Sequence, residues 1–147
     1  MPRRDDGFGA ELQASQVLSN LQISSLPVNP FVVADRRDIA YQEKPTLAPG
    51  ISGCLMKVGD AFGILYSARF ASEGFKRFTV AHELGHYFLQ GHIEALFGAG
   101  QQFHQSESGF TSDDKYEREA DSFAASLLMP KLPFKAACRK SGQGLVR

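Results

Sequence analysis

No hydrophobic run in this sequence approaches the ~20 residues that a helix needs to cross a bilayer, so a membrane-spanning protein is not expected. Net charge is lacking too, since 16 Lys and Arg balance 16 Asp and Glu. Without a basic excess there is no electrostatic case for direct nucleic-acid binding or for an anionic lipid surface. Cysteine is scarce. Cys54 and Cys138 lie far apart and form no Cys-x-x-Cys pair, which argues against a disulfide-stapled secreted domain and for two reduced thiols. The opening Met1-Pro2-Arg3-Arg4-Asp5-Asp6 has no apolar stretch behind it and does not resemble a secretion signal, so a cytoplasmic protein is expected. Repeats are absent as well.

What remains is an ordinary globular composition. The chain has 147 residues, 43% of them hydrophobic, enough for one domain with its own core. Residues 1–9 read as a flexible tail and 10–147 as a single domain. A helical pattern runs from Ala10 to Leu21, with Leu12, Val17, Leu18 and Leu21 as candidate buried positions. Asn29 can cap a short helix that starts at Pro30 and reaches Arg36. Strands are expected at 39–42, 51–58 and 62–67, with a hairpin turn at Gly59-Asp60-Ala61. A longer helix is expected over 73–90, capped by Ser72 and stopped at Gly91, with Phe78, Ala81, Gly85 and Phe88 facing the core. Residues 92–111, rich in Gly, Gln and Ser, read as one long loop. A further helix, capped at Thr111 or Ser112, carries Ala120, Phe123, Ala124, Leu127 and Leu128 and ends at Met129-Pro130. A short helix over 132–140 closes the chain.

The chemistry is concentrated in His82-Glu83-Leu84-Gly85-His86. Residues four apart on a helix sit about 40° apart and one turn up, so His82 and His86 leave the same face and can reach one metal. Neutral imidazole is a good zinc ligand. Glu83, next round the helix, can reach a water at the metal without being a ligand itself. Gly85 in mid-helix costs ~1 kcal/mol relative to Ala and suggests the close approach of another element.

A site with two His ligands needs a third protein ligand to leave one position open for water. Glu117-Arg118-Glu119-Ala120-Asp121 offers two glutamates on different faces. Glu117 is favoured, because Asp121 shares its face and can accept a hydrogen bond from the far nitrogen of a ligand histidine. Glu119 has no such companion and reads as a solvated charge. Tyr116, Tyr87 and His104 are all candidates for the donor that stabilises the oxyanion. An extended substrate can add to the strand at 62–67 if that strand is a sheet edge, and Arg69, Lys76 and Arg77 lie close enough to bind acidic groups.

The segment Phe78 to His86, followed by Glu117-Arg118-Glu119-Ala120-Asp121-Ser122-Phe123-Ala124 and Leu127-Leu128-Met129-Pro130, resembles the ImmA/IrrE metallopeptidases. The resemblance covers about residues 10–135. It implies a zincin-like α+β fold, with a sheet of three or more strands packed on the active-site helix and further helices around it. It also implies one zinc per chain held by His82, His86 and Glu117, Glu83 as catalytic base, and cleavage of a helix-turn-helix repressor that switches genes on. Asp121 stands where Asn is common in that family and still accepts a hydrogen bond. The chain closes at Arg147 with neither a DNA-binding helix-turn-helix nor a sensor domain, so the expected repressor is a separate protein, encoded nearby. Two rival functions are a catalytically silent module that sequesters a regulator and a zinc hydrolase of small peptides or amides. Manganese or iron would also suit such a ligand set. Oligomeric state, the cleaved bond and the activating signal are not legible.

Overall fold

The computed structural model describes residues 5–45, 47–68, 72–98, 100–107 and 114–130, with side chains from residue 9 onward. Helix α1 spans Asp5–Asn20, so the chain is already helical where a tail was expected. Its inner face is Ala10, Ala14, Val17 and Leu18, at helical spacing, whereas Leu12, expected inside, is 49% exposed. Leu21 is only partly buried. Helix α2, Pro30–Arg36, follows its sequence signals: Asn29 accepts a hydrogen bond from the Phe31 amide at 2.9 Å, and Pro30 takes the first position.

Three strands come next, β1 (Ala40–Lys44), β2 (Ile51–Val58) and β3 (Ala61–Ser67). Val58 pairs with Ala61 across Gly59-Asp60, and Gly59 supplies the positive φ of 62° that the tight turn requires. Helix α3, Glu73–Phe88, starts at Ser72, whose hydroxyl accepts from the Phe75 amide. It stops short of the expected Gln90, and Gly91, at φ 87°, opens helix α4, His92–Phe97. Strand β4, Phe103–Glu107, and helix α5, Lys115–Leu128, complete the described elements. The single long loop expected over 92–111 is thus corrected, since α4 and β4 both lie within it. Asp114 caps α5 by accepting from the Tyr116 and Glu117 amides. The caps expected at Thr111 or Ser112 and the helix expected over 132–140 lie outside the described residues.

The fold is α+β, with one mixed sheet in the order β1-β3-β2-β4. β1 runs parallel to β3, and β2 runs antiparallel to both β3 and β4. β3 is therefore internal, which corrects the expectation that a substrate strand adds to it. α3 lies on β2 and β3, α5 packs on α3, and α1 packs on α5. Leu55 and Ile64 of the sheet meet Val80, Ala81 and Leu84 of α3, with Phe123, Ala124 and Leu127 of α5 and Val17 and Leu18 of α1 completing the core. Among the described residues no helix is long and apolar enough to cross a membrane.

Candidate metal centre and catalytic carboxylate

Every residue from Thr79 to His86 is buried, because α3 is covered by the sheet on one side and by α5 on the other. α5 approaches α3 closely at Gly85. A Cβ there would stand 3.1 Å from Ala120 Cα and 3.2 Å from the Ala120 carbonyl oxygen. Glycine at this crossing lets the two backbones meet, as its place in the helix suggested, and this carries Glu117, a turn earlier on α5, up to the histidines.

His82 Nε2 lies 2.9 Å from Glu117 Oε1, and His86 Nε2 lies 3.3 Å from Glu117 Oε2. One ligand atom from each of His82, His86 and Glu117 falls within 4.8 Å of the others, the spacing at which a single ion can be held. Behind the first of them, His82 Nδ1 donates to Asp121 Oδ1 at 2.8 Å. Neutral His82 then has a bare Nε2 facing a carboxylate, an arrangement that calls for a cation between them. In the metal-free chain that cation is a proton. Burial works against the charged form of His82, but the hydrogen bonds it donates to Asp121 and Glu117 outweigh it and push its pKa up to about 10. Burial alone would raise the Glu117 carboxyl, yet His104, His82 and His86 together hold it far below the usual range. Burial also lowers His86, to about 4, so that ring is neutral and free to ligate. Once the His82 proton is displaced, these donors fit a divalent metal well: two neutral nitrogens, one ionised carboxylate, and little exposure.

Glu83 is wholly buried beside this cluster, and neither carboxylate oxygen has a hydrogen-bond partner among the described residues. Burial raises its pKa to about 7, against the opposing pull of His82 and the nearby Ser106 hydroxyl. An unpaired carboxyl in the protein interior is costly to keep, and its pKa suits it to accept and return protons near neutrality. Room for it comes from Gly53 on β2, where a Cβ would sit 2.9 Å from Glu83 Oε2 and 2.6 Å from Thr79 Cγ2. This second close approach was not legible in the sequence.

Glu83, His82 and Glu117 line a cleft of about 630 Å³, walled by Phe75 and Phe78 of α3 and by His104, Gln105, Ser106 and Glu107 of β4, while His86 lies buried behind it. His104 Nε2 is 2.8 Å from Glu117 Oε2. Of the three expected oxyanion donors His104 alone lines the cleft. Tyr87 packs its ring on Phe62 and accepts a hydrogen bond from Arg37 at 3.3 Å, away from the site. Tyr116 sets its ring against His92, outside the cleft lining. Neither tyrosine is placed for the role suggested. The basic residues expected near the substrate fare no better, since Lys76 pairs with Glu43 at 3.3 Å, Arg77 is not in the cleft lining, and Arg69 lies outside the described residues.

One residue was misjudged and another was missed. Glu119, read as a solvated charge, accepts instead from His92 Nε2 at 2.7 Å. His92 is fully buried, with its Nδ1 2.9 Å from His86 Nδ1. The one available signal was the rarity of histidine, because all four in the chain gather here.

The fold and the site together define an α+β protein of the His-Glu-x-x-His class, with a buried carboxylate beside a cluster that could hold a metal ion. Residues 34–146 match the model of a peptidase family described as the IrrE N-terminal-like domain (Peptidase_M78), and the chain belongs to that family. Comparison with curated proteins gave no match.

Proposed function

We propose that this protein is a zinc endopeptidase that cleaves a separate regulatory protein, a helix-turn-helix repressor, and so derepresses genes. The observation that carries the peptidase reading is the orphaned carboxylate of Glu83, buried at the edge of a cleft beside His82, His86 and Glu117. The repressor as substrate rests on membership of the IrrE-like family.

His82 and His86, through Nε2, and Glu117 would hold the ion. Bound there, zinc supplies Lewis acidity, polarising the scissile carbonyl and making a water more acidic. Glu83 takes the proton from the attacking water and delivers it to the departing amine. Asp121 holds the His82 ring in the tautomer that leaves Nε2 free. His104 faces the cleft and supplies an N–H to the developing oxyanion. β4, at the end of the sheet among the described residues, offers its outer edge to an extended substrate, with Phe75 and Phe78 receiving an apolar side chain.

Incubating the zinc-loaded chain with a helix-turn-helix repressor encoded beside it should give one pair of fragments. Glu83→Gln should bind zinc with unchanged stoichiometry and yield no fragments. Cleavage that survives this substitution would sink the mechanism, while turnover of short peptides with the repressor left intact would point to the small-peptide hydrolase. Repressor binding that resists both chelation and Glu83→Gln, with no product, would make the chain a sequestering module.

A further inference from the structure

The two histidine ligands differ in what stands behind them. His82 Nδ1 meets a carboxylate directly, whereas His86 Nδ1 meets another imidazole nitrogen, His92 Nδ1, at 2.9 Å. Two ring nitrogens at that distance must share one proton, so one donates and the other accepts. The direction is set on the far side of His92. There Nε2 lies 2.7 Å from Glu119 Oε1, and an ionised carboxylate can only accept. The His92 proton therefore sits on Nε2. A neutral imidazole carries one N–H, so His92 Nδ1 is bare and must accept from His86 Nδ1–H. The His86 proton is thereby fixed on Nδ1, and its Nε2 lone pair is left facing the ion position; Glu117 stands farther from that nitrogen, at 3.3 Å, than from His82 at 2.9 Å and His104 at 2.8 Å, the two rings placed to donate to it.

We propose that Glu119 and His92 form a relay that sets the tautomer and ring orientation of His86, doing through an intervening imidazole what Asp121 does for His82 directly. Both are positioning residues, and neither lines the cleft. The fold holds His92 firmly for the task. It is the first residue of α4, directly after the left-handed Gly91, it is fully buried, and the Tyr116 ring meets it edge-on at 4.9 Å. Tyr116 and Glu119 both belong to α5, the helix that also brings Glu117, so one element supplies a ligand and the end of the relay. The opposite proton order, with His92 donating to His86, would need a doubly protonated His92 and would put a proton on the nitrogen that must ligate.

This inference rests on the metal-site reading above, and two measurements on the full chain separate their failures. The first reads the tautomer in the metal-free protein, by ¹⁵N correlation of the imidazole nitrogens. His86 protonated at Nδ1 and His92 at Nε2 is expected, and His86 protonated at Nε2 overturns the relay whether or not zinc binds. The second measures zinc affinity by competition with a chromophoric chelator. His92→Phe, which fills the space but cannot accept, should weaken binding about 10- to 100-fold. His92→Gln, whose oxygen can accept from His86 while its amide donates to Glu119, should recover most of that loss. Glu119→Ala should still bind one zinc per chain but more weakly than wild type, whereas Glu117→Ala should lose it. Equal affinity in wild type, Glu119→Ala and both His92 variants would overturn the relay and leave the metal site intact. Failure of wild type to bind zinc would strike the metallopeptidase reading instead.

Discussion

Glu83 occupies a position that a protein selected for stability alone would not fill with an acid. It has no exposure and no hydrogen-bond partner among the described residues, and burial raises its pKa from 4.5 to about 7. The folded chain therefore binds a proton more tightly at this site than the unfolded chain does. Below about pH 4.5 both states are protonated and the site is neutral in its effect. As pH rises through 7 the fold must hold a buried charge, and stability falls by up to about 3 kcal/mol. In the metal-free protein, Glu83→Gln should then raise the unfolding midpoint at pH 8 and change it little at pH 4, as read by thermal melts across that range. A stabilisation equal at both pH values would show that the charge is not its origin. The same residue marks what sequence alone can reach. His82, Glu83, His86, Glu117 and Asp121 were legible because a helix converts spacing into direction. His92 and Glu119 were not, because their partnership depends on where α4 turns, and no periodicity encodes that.

At the scale of elements, the site depends on how closely two helices cross. Gly85 meets the backbone of Ala120, not a flexible side chain, so an added methyl has nowhere to go unless α5 moves. Gly85→Ala gains ~1 kcal/mol of helix propensity. The overpacking it creates outweighs that gain, and a net loss of about 1–2 kcal/mol is expected in denaturant unfolding. Because the displaced helix carries Glu117, zinc affinity should fall in the same variant, and a variant that unfolds sooner but binds zinc as before would separate the crossing from the site. Small residues also explain where the sequence reading of α1 slipped. Ala10 and Ala14 have little to hide, yet they lie on the face that packs toward α5, and Leu12 is turned outward. β4 escaped notice for a different reason. Its inward residues are His104 and Ser106, which face Glu117 and Glu83, so the apolar alternation that betrays a strand is absent where the strand serves the site.

For the whole molecule, the ion site joins elements that are distant in sequence. His82 and His86 come from α3, Glu117 from α5, and both helices belong to the central packing of the fold. An ion bound only by the folded chain stabilises it by mass action, about 2.7 kcal/mol at a free concentration 100 times Kd. Zinc must first displace the proton that His82 holds up to about pH 10, so affinity should rise about tenfold per pH unit between pH 7 and 9. Melting the protein with zinc and with a chelator should show a gap in midpoint that widens over that range. A gap independent of pH would mean that no ligand proton is released. The α+β class and the order of most elements were readable from turn and cap chemistry. The strand order was not, since β1 joins the sheet beside β3 and not beside its chain neighbour β2.

The gathering of all four histidines around one ion site has a practical consequence. Outside the cleft the surface carries no imidazole, so an acylating reagent that attacks unprotonated rings meets its most accessible target in His104, 18% exposed on the cleft wall. The pace at which it consumes histidine then reports access to the cleft, with no background from bystander residues. A bound ion, by tying α3 to α5, would register as a slowing of that chemistry, even in a variant that can no longer turn over substrate.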